Sequence, residues 1–163
     1  MRYLVRLSIF TLFFATFSSV SVALAGHVYF FIKSRKDENV QFAVTDTIIA
    51  KTGMVRMKAI LPALDGMQHD VRGPLVRDLL RAAGVTGDFA YCYALDRYDV
   101  DIPVTDFENY DVIAAIEVDG RPIGIRERGP AWIVYPNADH PELQNNAVYE
   151  SRSIWQLKEL TVR

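Results

Sequence analysis

The segment between Gly73 and Gly84 carries a complete set of helix signals. Pro74 occupies the first helical position, which prolines favour, and Gly84 stands where a left-handed C-cap is expected. Apolar residues recur at helical spacing between these limits: Leu75, Val76, Leu79, Leu80 and Ala83. The sequence therefore predicts an amphipathic helix from Pro74 to Ala83, and the rest of the fold must cover its apolar face.

Several other patterned segments are typical of strands. Residues 28–32 are β-rich, and residues 55–60 alternate apolar and polar side chains as an edge strand does. Asp119-Gly120 is a residue pair that two-residue turns prefer. Residues 113–118 and 121–125 are therefore predicted to form a hairpin around it.

Further signals complete the pattern. The continuous apolar run 131–135 predicts a strand that is buried on both faces and central in its sheet. Thr45 is placed to cap a short helix that Gly53 closes, and residues 136–150 are polar and aperiodic, which predicts a loop. Near the C-terminal end the alternation slips at Lys158-Glu159, as a β-bulge would cause. One clear helix among many strands indicates an α+β fold.

The first 25 residues have the composition of a secretory signal. Two arginines precede an apolar run from Leu7 to Val22, and Ala23-Leu24-Ala25 ends it with the small-x-small pattern that signal peptidase accepts. We therefore expect cleavage after Ala25 and one domain, residues 26–163, that is periplasmic or otherwise exported. The alternative is an uncleaved membrane anchor, because apolar residues resume at 28–32. In either case we expect the domain to face outward.

Charge and cysteine content restrict the classes of function. Of the 18 basic residues two lie in the signal, so residues 26–163 carry 16 basic and 20 acidic side chains, a net charge of −4. Nucleic acid is not expected as a partner, because it would require a basic face. Cys92 is the only cysteine, so no intramolecular disulfide can form. It is expected to be a packed, inert thiol, with a reactive or metal-bound thiol as the alternative.

Four segments resemble the sulfite-oxidase-like family, whose domain is named for binding molybdopterin, and in particular its small, exported, single-domain members. The segments are residues 71–84, 94–103, 128–136 and 151–157, and they follow the family's order. Together they cover most of the chain after residue 54. The resemblance implies an α+β fold with a mixed sheet and few short helices.

The resemblance also implies a metal ligand that this sequence lacks. The family's enzymes hold molybdenum through a cysteine thiolate upstream of the Gly-Pro-Leu helix, in the segment that matches Met54 to Asp70 here. That segment has no cysteine, and Cys92 falls after the helix. Because a molybdenum centre without its thiolate loses the ligand that fixes its position, no cofactor is expected. Molybdopterin is the alternative, with Cys92 as an outside candidate for the metal ligand.

Candidate ligand-binding residues come from segments that the resemblance brings to one end of the sheet. Guanidinium groups suit oxyanions, so a small anion is the expected ligand. The set is Arg97, Tyr98, Arg126, Arg128 and Arg152. Arg97 stands where similar small members have an acidic residue. The alternative is that the arginines pair on the surface with nearby acidic residues: Asp96, Glu127 and Glu150.

Other combinations of residues give weaker signals. The three histidines lack the spacing of a zinc or haem site. Asp99, Asp101 and Asp106 lie around a proline and are expected to be solvated rather than to form a carboxylate site. Trp132 and Trp155 are expected to belong to the core, and the alternative is that either lines a pocket.

Two functions follow from the sequence. The favoured one is an exported, cofactor-free ligand-binding or sensory-accessory module, whose partner is a small anion or a periplasmic or membrane protein. The alternative is a periplasmic molybdopterin-dependent oxidoreductase with an atypical metal site. Fold resemblance alone does not separate them.

Overall fold

In a computed structural model, which describes residues 26–163, the chain folds into short strands with a few short helices between them. The strands are β1 (Val28–Ser34), β2 (Gln41–Thr45), β3 (Val55–Ile60), β4 (Gln68–Gly73), β5 (Phe89–Ala94), β6 (Asp99–Pro103), β7 (Ile113–Ala115), β8 (Glu117–Val118), β9 (Arg121–Pro122), β10 (Trp132–Val134) and β11 (Leu157–Val162). The helices are α1 (Asp46–Thr52), α2 (Val76–Ala83), α3 (Val104–Asn109) and α4 (Ala147–Arg152), with 3-10 turns at Ile125–Glu127 and Pro141–Leu143. The predicted signal at residues 1–25 lies outside the described residues. In the described part of the chain, no helix has the length and apolar character needed to cross a membrane.

The large sheet has the strand order β2-β1-β11-β5-β6. It is mixed, because β1 pairs with β11 in parallel while the other neighbours are antiparallel. The pairing of β11 with β5 shifts register between Leu157 and Glu159, which confirms the predicted bulge. Thr45 accepts a hydrogen bond from the Ile48 amide and Gly53 donates to the Ile49 carbonyl, so α1 also begins and ends as predicted.

Two smaller groups of strands complete the fold. The small sheet has the order β3-β4-β8-β9, and β7 and β10 form an antiparallel two-stranded ribbon. β7 runs beside the chain that follows β4, where the amides of Ala114 and Ile116 donate to the carbonyls of Pro74 and Arg72. Gly73 allows this close approach, since a Cβ there would lie 2.0 Å from the Ala114 carbonyl oxygen.

The ribbon separates two hydrophobic cores. Alternate ribbon residues, among them Ile133 and Tyr135, face the large core, which lies against the large sheet and α2. The intervening residues Trp132 and Val134 face the small core, together with Ala59 of β3, Val71 of β4 and Leu61 of the turn between them. The run 131–135 is therefore buried on both faces, as its composition predicts. The predicted central place of this run in a sheet is wrong. β10 pairs with one strand, β7, and on its other side Ile133 bonds to Ile154 in the irregular segment before β11.

Helix α2 begins two residues later than its sequence predicts. It starts at Val76, with Leu75 as its extended N-cap, and it ends at Gly84 in the left-handed conformation, at φ 67°. Pro74 and Leu75 are still in extended chain, where Leu75 bridges Ile113 of β7. Pairing with a neighbouring strand therefore overrides the local preference of Pro74 for the first helical position.

Two other predictions are corrected by the structure. The Asp119-Gly120 hairpin is present, but only β8 and β9 flank it, because the chain leaves the ribbon after Ala115 and enters the small sheet at Glu117. The segment 136–150 is not a plain loop. It contains a 3-10 turn and the start of α4, where the Asn146 side chain accepts from the Val148 amide.

Candidate functional site

An aromatic cavity of about 220 Å³ lies where the two cores meet. The end of β3 and the turn after it provide one wall, from Ile60 to Ala63. Ribbon residues Trp132, Val134 and Tyr135 provide a second wall, and α4 with the residues after it provides a third. The first wall belongs to the segment in which the resemblance implies the molybdenum-binding cysteine. Here that wall is apolar.

Two tryptophans shape this cavity in different ways. Trp132 is 2% exposed, and its indole N–H donates to the Ser153 carbonyl oxygen at 3.0 Å. Trp155 is half-buried and meets Trp132 edge to face, with ring centroids 6.1 Å apart. The predicted core role therefore fits Trp132 fully and Trp155 only in part.

A second cavity of about 210 Å³ shares three lining residues with the aromatic cavity: Glu150, Ser153 and Trp155. Its remaining lining includes Asp96 and Tyr98 from the turn between β5 and β6. The Tyr98 hydroxyl donates to the Ser151 carbonyl oxygen at 2.9 Å, which ties this turn to α4. Tyr98 thus lines a cavity, and its role in ligand binding stays a prediction.

A buried carboxylate holds α4 in place. Asp106 accepts hydrogen bonds from the Tyr135 hydroxyl at 2.7 Å and from the Arg152 guanidinium at 2.9 Å. Burial, and then the hydrogen bond to Asp106, raise the pKa of Tyr135 well above its usual range. The expectation that Asp106 is solvated is wrong. Asp106 lies on α3, not in a loop, and its side chain is buried against the core. Asp99 and Asp101 are exposed, as expected.

Arg152 therefore pairs with Asp106 rather than with Glu150. Its guanidinium also lies 5.6 Å from the ring centroid of Tyr149 on the same helix. The positive charge of Arg152 is therefore paired with a carboxylate that stabilises the fold. No ion pair among residues 26–163 joins any of the four candidate arginines to Asp96, Glu127 or Glu150.

Arg128 has the most unusual surroundings of the candidate arginines. Its guanidinium lies 5.9 Å from the ring centroid of Trp132 and 5.6 Å from that of Trp155. Its Nε atom is buried and has no hydrogen-bond partner, the one such side-chain atom in the described part of the chain. The residue also has a left-handed backbone, at φ 73°. Strained, unsatisfied residues of this kind concentrate at functional sites.

Hydrogen bonds of Gln156 connect the segments that carry Arg97, Arg126 and Arg128. The Gln156 amide donates to the Arg128 carbonyl, and the Gln156 carbonyl accepts from Leu95, two residues before Arg97. The Gln156 side chain donates to the Ile125 carbonyl, next to Arg126. Arg97, Arg128 and Gln156 all have positive φ, at 75°, 73° and 51°. The backbone segments that carry Arg97, Arg126 and Arg128 thus meet at Gln156, and we call these three residues the arginine face.

Sequence reasoning missed two polar groups that bind segments together. The Asn137 side chain forms two hydrogen bonds of 2.8 Å to the backbone of Ile60 and so joins the 136–144 segment to the cavity wall. The His69 ring lies between Asp65, at 2.8 Å, and Asp119, at 2.7 Å. Only the Asp65–His69 spacing was visible in the sequence, because Asp119 comes from the distant hairpin.

The residues present do not fit the molybdenum centre that the resemblance implies. Cys92 is fully buried in the large core and does not line either cavity described above. Burial, and then the charge of Asp101, raise the pKa of its thiol far above its usual range, so it is not a ready thiolate. In residues 26–163 no group of three metal-binding side chains is suitably placed either.

Comparison with known proteins gives a fold relationship. No protein-family model matches the sequence, and no curated protein sequence is similar to it. The structure is similar to that of the sulfane dehydrogenase SoxCD from Paracoccus pantotrophus, with a TM-score of 0.60 at 15% identity. The match covers 83% of this chain and 38% of the SoxCD chain. The chain therefore has a mixed α+β fold like that of the matched part of the SoxCD chain.

Proposed function

We propose that this chain is an exported, cofactor-free ligand-binding module in which the arginine face binds a small anion. The observation that carries the proposal is Arg128, whose buried Nε lacks an acceptor while its guanidinium lies within 6 Å of the ring centroids of Trp132 and Trp155. Contact with two aromatic rings restrains a guanidinium, and a restrained guanidinium suits bidentate contact with an oxyanion.

The charges around Arg128 support the same ligand. Arg97, Arg126 and Arg128 belong to none of the ion pairs of residues 26–163, although acidic side chains outnumber basic ones in this domain. Arg97 and Arg126 are exposed, and Arg128 is half-buried. A small anion would meet guanidinium groups that are not engaged in ion pairs. Arg152 is already paired with Asp106, so in this proposal it does not bind the anion but holds α4 in place.

The absence of a redox cofactor is part of the proposal and has its own support. The wall from Ile60 to Ala63 offers no thiol, and the one cysteine of the chain is enclosed in the large core. At about 220 Å³ the aromatic cavity is smaller than the roughly 300–1,000 Å³ typical of sites for larger ligands. The fold relationship to SoxCD would then reflect a retained scaffold without its chemistry.

Thermal shift against sulfate, phosphate and acetate tests the anion site. The native protein is expected to show a rise in melting temperature with at least one of these anions, and added sodium chloride should reduce it because the face is exposed. An Arg97→Ala, Arg128→Ala double variant should lose the response. Arg56→Ala is the matched control, because Arg56 is an exposed arginine on β3 that pairs with Asp70. Equal responses from the native protein and the double variant would remove these arginines from the site.

Elemental analysis of protein from a host that makes molybdopterin tests the cofactor. The proposal expects no stoichiometric molybdenum. Near one molybdenum per chain, lost on Cys92→Ser, would establish the alternative oxidoreductase.

N-terminal sequencing of the exported fraction tests the predicted cleavage. The sequence should begin at Gly26, whereas an intact Met1 in the membrane fraction would indicate an anchored domain.

A further inference from the structure

The aromatic cavity has a chemistry opposite to that of the arginine face. Glu150 is the one charged side chain among its lining residues, and Asp96 and Glu150 are the charged lining residues of the second cavity. Within residues 26–163, no arginine or lysine lines either of these two cavities. A ligand that enters them therefore meets negative charge, although Arg128 and Arg152 contact the aromatic rings nearby.

The walls of the aromatic cavity suit an organic cation. Trp132, Trp155 and Tyr149 line it and offer ring surface to the apolar body of such a ligand. Glu150 is exposed, so its carboxylate lies at the solvent side of the cavity. It belongs to none of the ion pairs found in the described part of the chain. An aromatic enclosure with a free carboxylate is the combination that recognises ammonium ions carrying an apolar body.

The polar groups inside the cavity favour a hydrogen-bond donor as well. Both the amide oxygen and the amide nitrogen of Asn137 bond to Ile60, and the Ser153 hydroxyl donates to the Tyr149 carbonyl. Ser153 therefore offers a lone pair to a ligand, as Glu150 does. Ammonium N–H groups are donors, so such a ligand would find acceptors on both residues.

We infer that the aromatic cavity is a second binding site beside the arginine face, and that it takes a small organic ammonium ion with an apolar body. Glu150 receives the ammonium group at the solvent side, and the tryptophans and Tyr149 enclose the apolar part. The second cavity, which shares Glu150 and Trp155, extends the acidic region at the same mouth.

Titration of the full folded domain with three matched probes tests this inference. The probes are phenethylammonium, neutral 2-phenylethanol and anionic phenylacetate, and binding is followed by tryptophan fluorescence and by calorimetry. Phenethylammonium is expected to bind at least tenfold more tightly than phenylacetate. Glu150→Gln should weaken phenethylammonium binding at least fivefold and leave 2-phenylethanol within twofold. Glu38→Gln, which removes the same charge from an exposed residue in the turn between β1 and β2, is the control and should change neither.

A cavity-filling variant makes the test independent of charge. Ala63 lines the cavity and is half-buried, so Ala63→Phe should fill the space while the melting curve stays cooperative. It should abolish the binding of both phenethylammonium and 2-phenylethanol. The inference is overturned if no probe binds saturably, if phenylacetate binds as well as phenethylammonium, or if Glu150→Gln has no effect. The anion response of the arginine face is measured separately, so either proposal can fail alone.

Discussion

The two faces of the β7–β10 ribbon have different neighbours. The face that includes Ile133 packs into the large core, which contacts the large sheet and α2. The face that includes Trp132 packs into the much smaller core beside β3 and β4, and there the packing ends at the aromatic cavity. One short ribbon thus supplies a filled interior on one side and a lined cavity on the other. The comparison teaches that a buried apolar strand can carry both stability and a candidate binding site.

The largest expected effect concerns the two tryptophans on the cavity side. Trp132→Ala should lower the free energy of unfolding by about 3–5 kcal/mol, because it removes the largest buried side chain of the small core. Trp155→Ala should cost roughly 1–2 kcal/mol, since half-buried Trp155 gives up less apolar surface. Chemical denaturation of both variants measures the difference. Equal losses would show that the two rings are buried alike, contrary to the structure.

The next effect tests the close contact that joins the ribbon to the small sheet. Gly73→Ala would place a Cβ 2.0 Å from the Ala114 carbonyl oxygen, so β7 must move. We expect a loss of about 3 kcal/mol in unfolding free energy. Gly124→Ala is the control, because its new Cβ would have no neighbour closer than 3.7 Å. A Gly73→Ala protein with an unchanged melting temperature would contradict the described packing of β7.

A smaller effect separates the support of α4 from the packing of the ribbon. Asp106→Ala removes the acceptor of both Tyr135 and Arg152, and should cost about 2 kcal/mol in unfolding free energy. It should also weaken phenethylammonium binding, because α4 carries Tyr149 and Glu150. Glu108→Ala changes an exposed residue on α3, the helix that also carries Asp106. It should leave both the stability and the binding unaltered. If the two variants were equally stable, α4 would not depend on the buried carboxylate.

The smallest effect is a pH dependence confined to the small sheet. Hydrogen bonds to Asp119 and then to Asp65 raise the pKa of His69 above its ordinary 6.5, and the bond to His69 lowers the pKa of each carboxyl below its ordinary 3.8. The His69 contribution to stability is therefore complete below pH 6.5 and is lost as the pH rises through its folded pKa. The carboxyl contribution is present above pH 3.8 and is lost as the pH falls further.

The melting temperature of the native protein and of His69→Gln, followed from pH 4 to pH 9, measures this contribution. The two curves should differ most between pH 4 and 6.5 and converge above that range. His27→Gln, which changes an exposed histidine at the start of the large sheet, should follow the native curve. A difference that grew towards pH 9 would show that the neutral form of His69, not the charged one, is the stabilising form.

Features that depend on a few neighbouring residues were determined by the sequence alone. Gly84 ends α2 with positive φ, Thr45 caps α1, and Asp119-Gly120 forms the turn of the hairpin, all as predicted. The bulge between Leu157 and Glu159 also lies where the apolar–polar alternation of the sequence changes phase. Caps, turns and periodicities are energetic preferences of adjacent residues, so one sequence is enough to read them.

The positions of groups that depend on distant partners were decided only by the tertiary structure. Local pattern could not show that Asp106 is buried beneath Tyr135 and Arg152, because these residues are 29 and 46 positions away. Nor could it show that the run 131–135 divides two cores instead of lying at the centre of a sheet. The candidate site depends on the same long-range packing. The segments of Arg97, Arg126 and Arg128 meet at Gln156, and Glu150 lines an aromatic cavity, only because non-adjacent segments pair and exclude water between them.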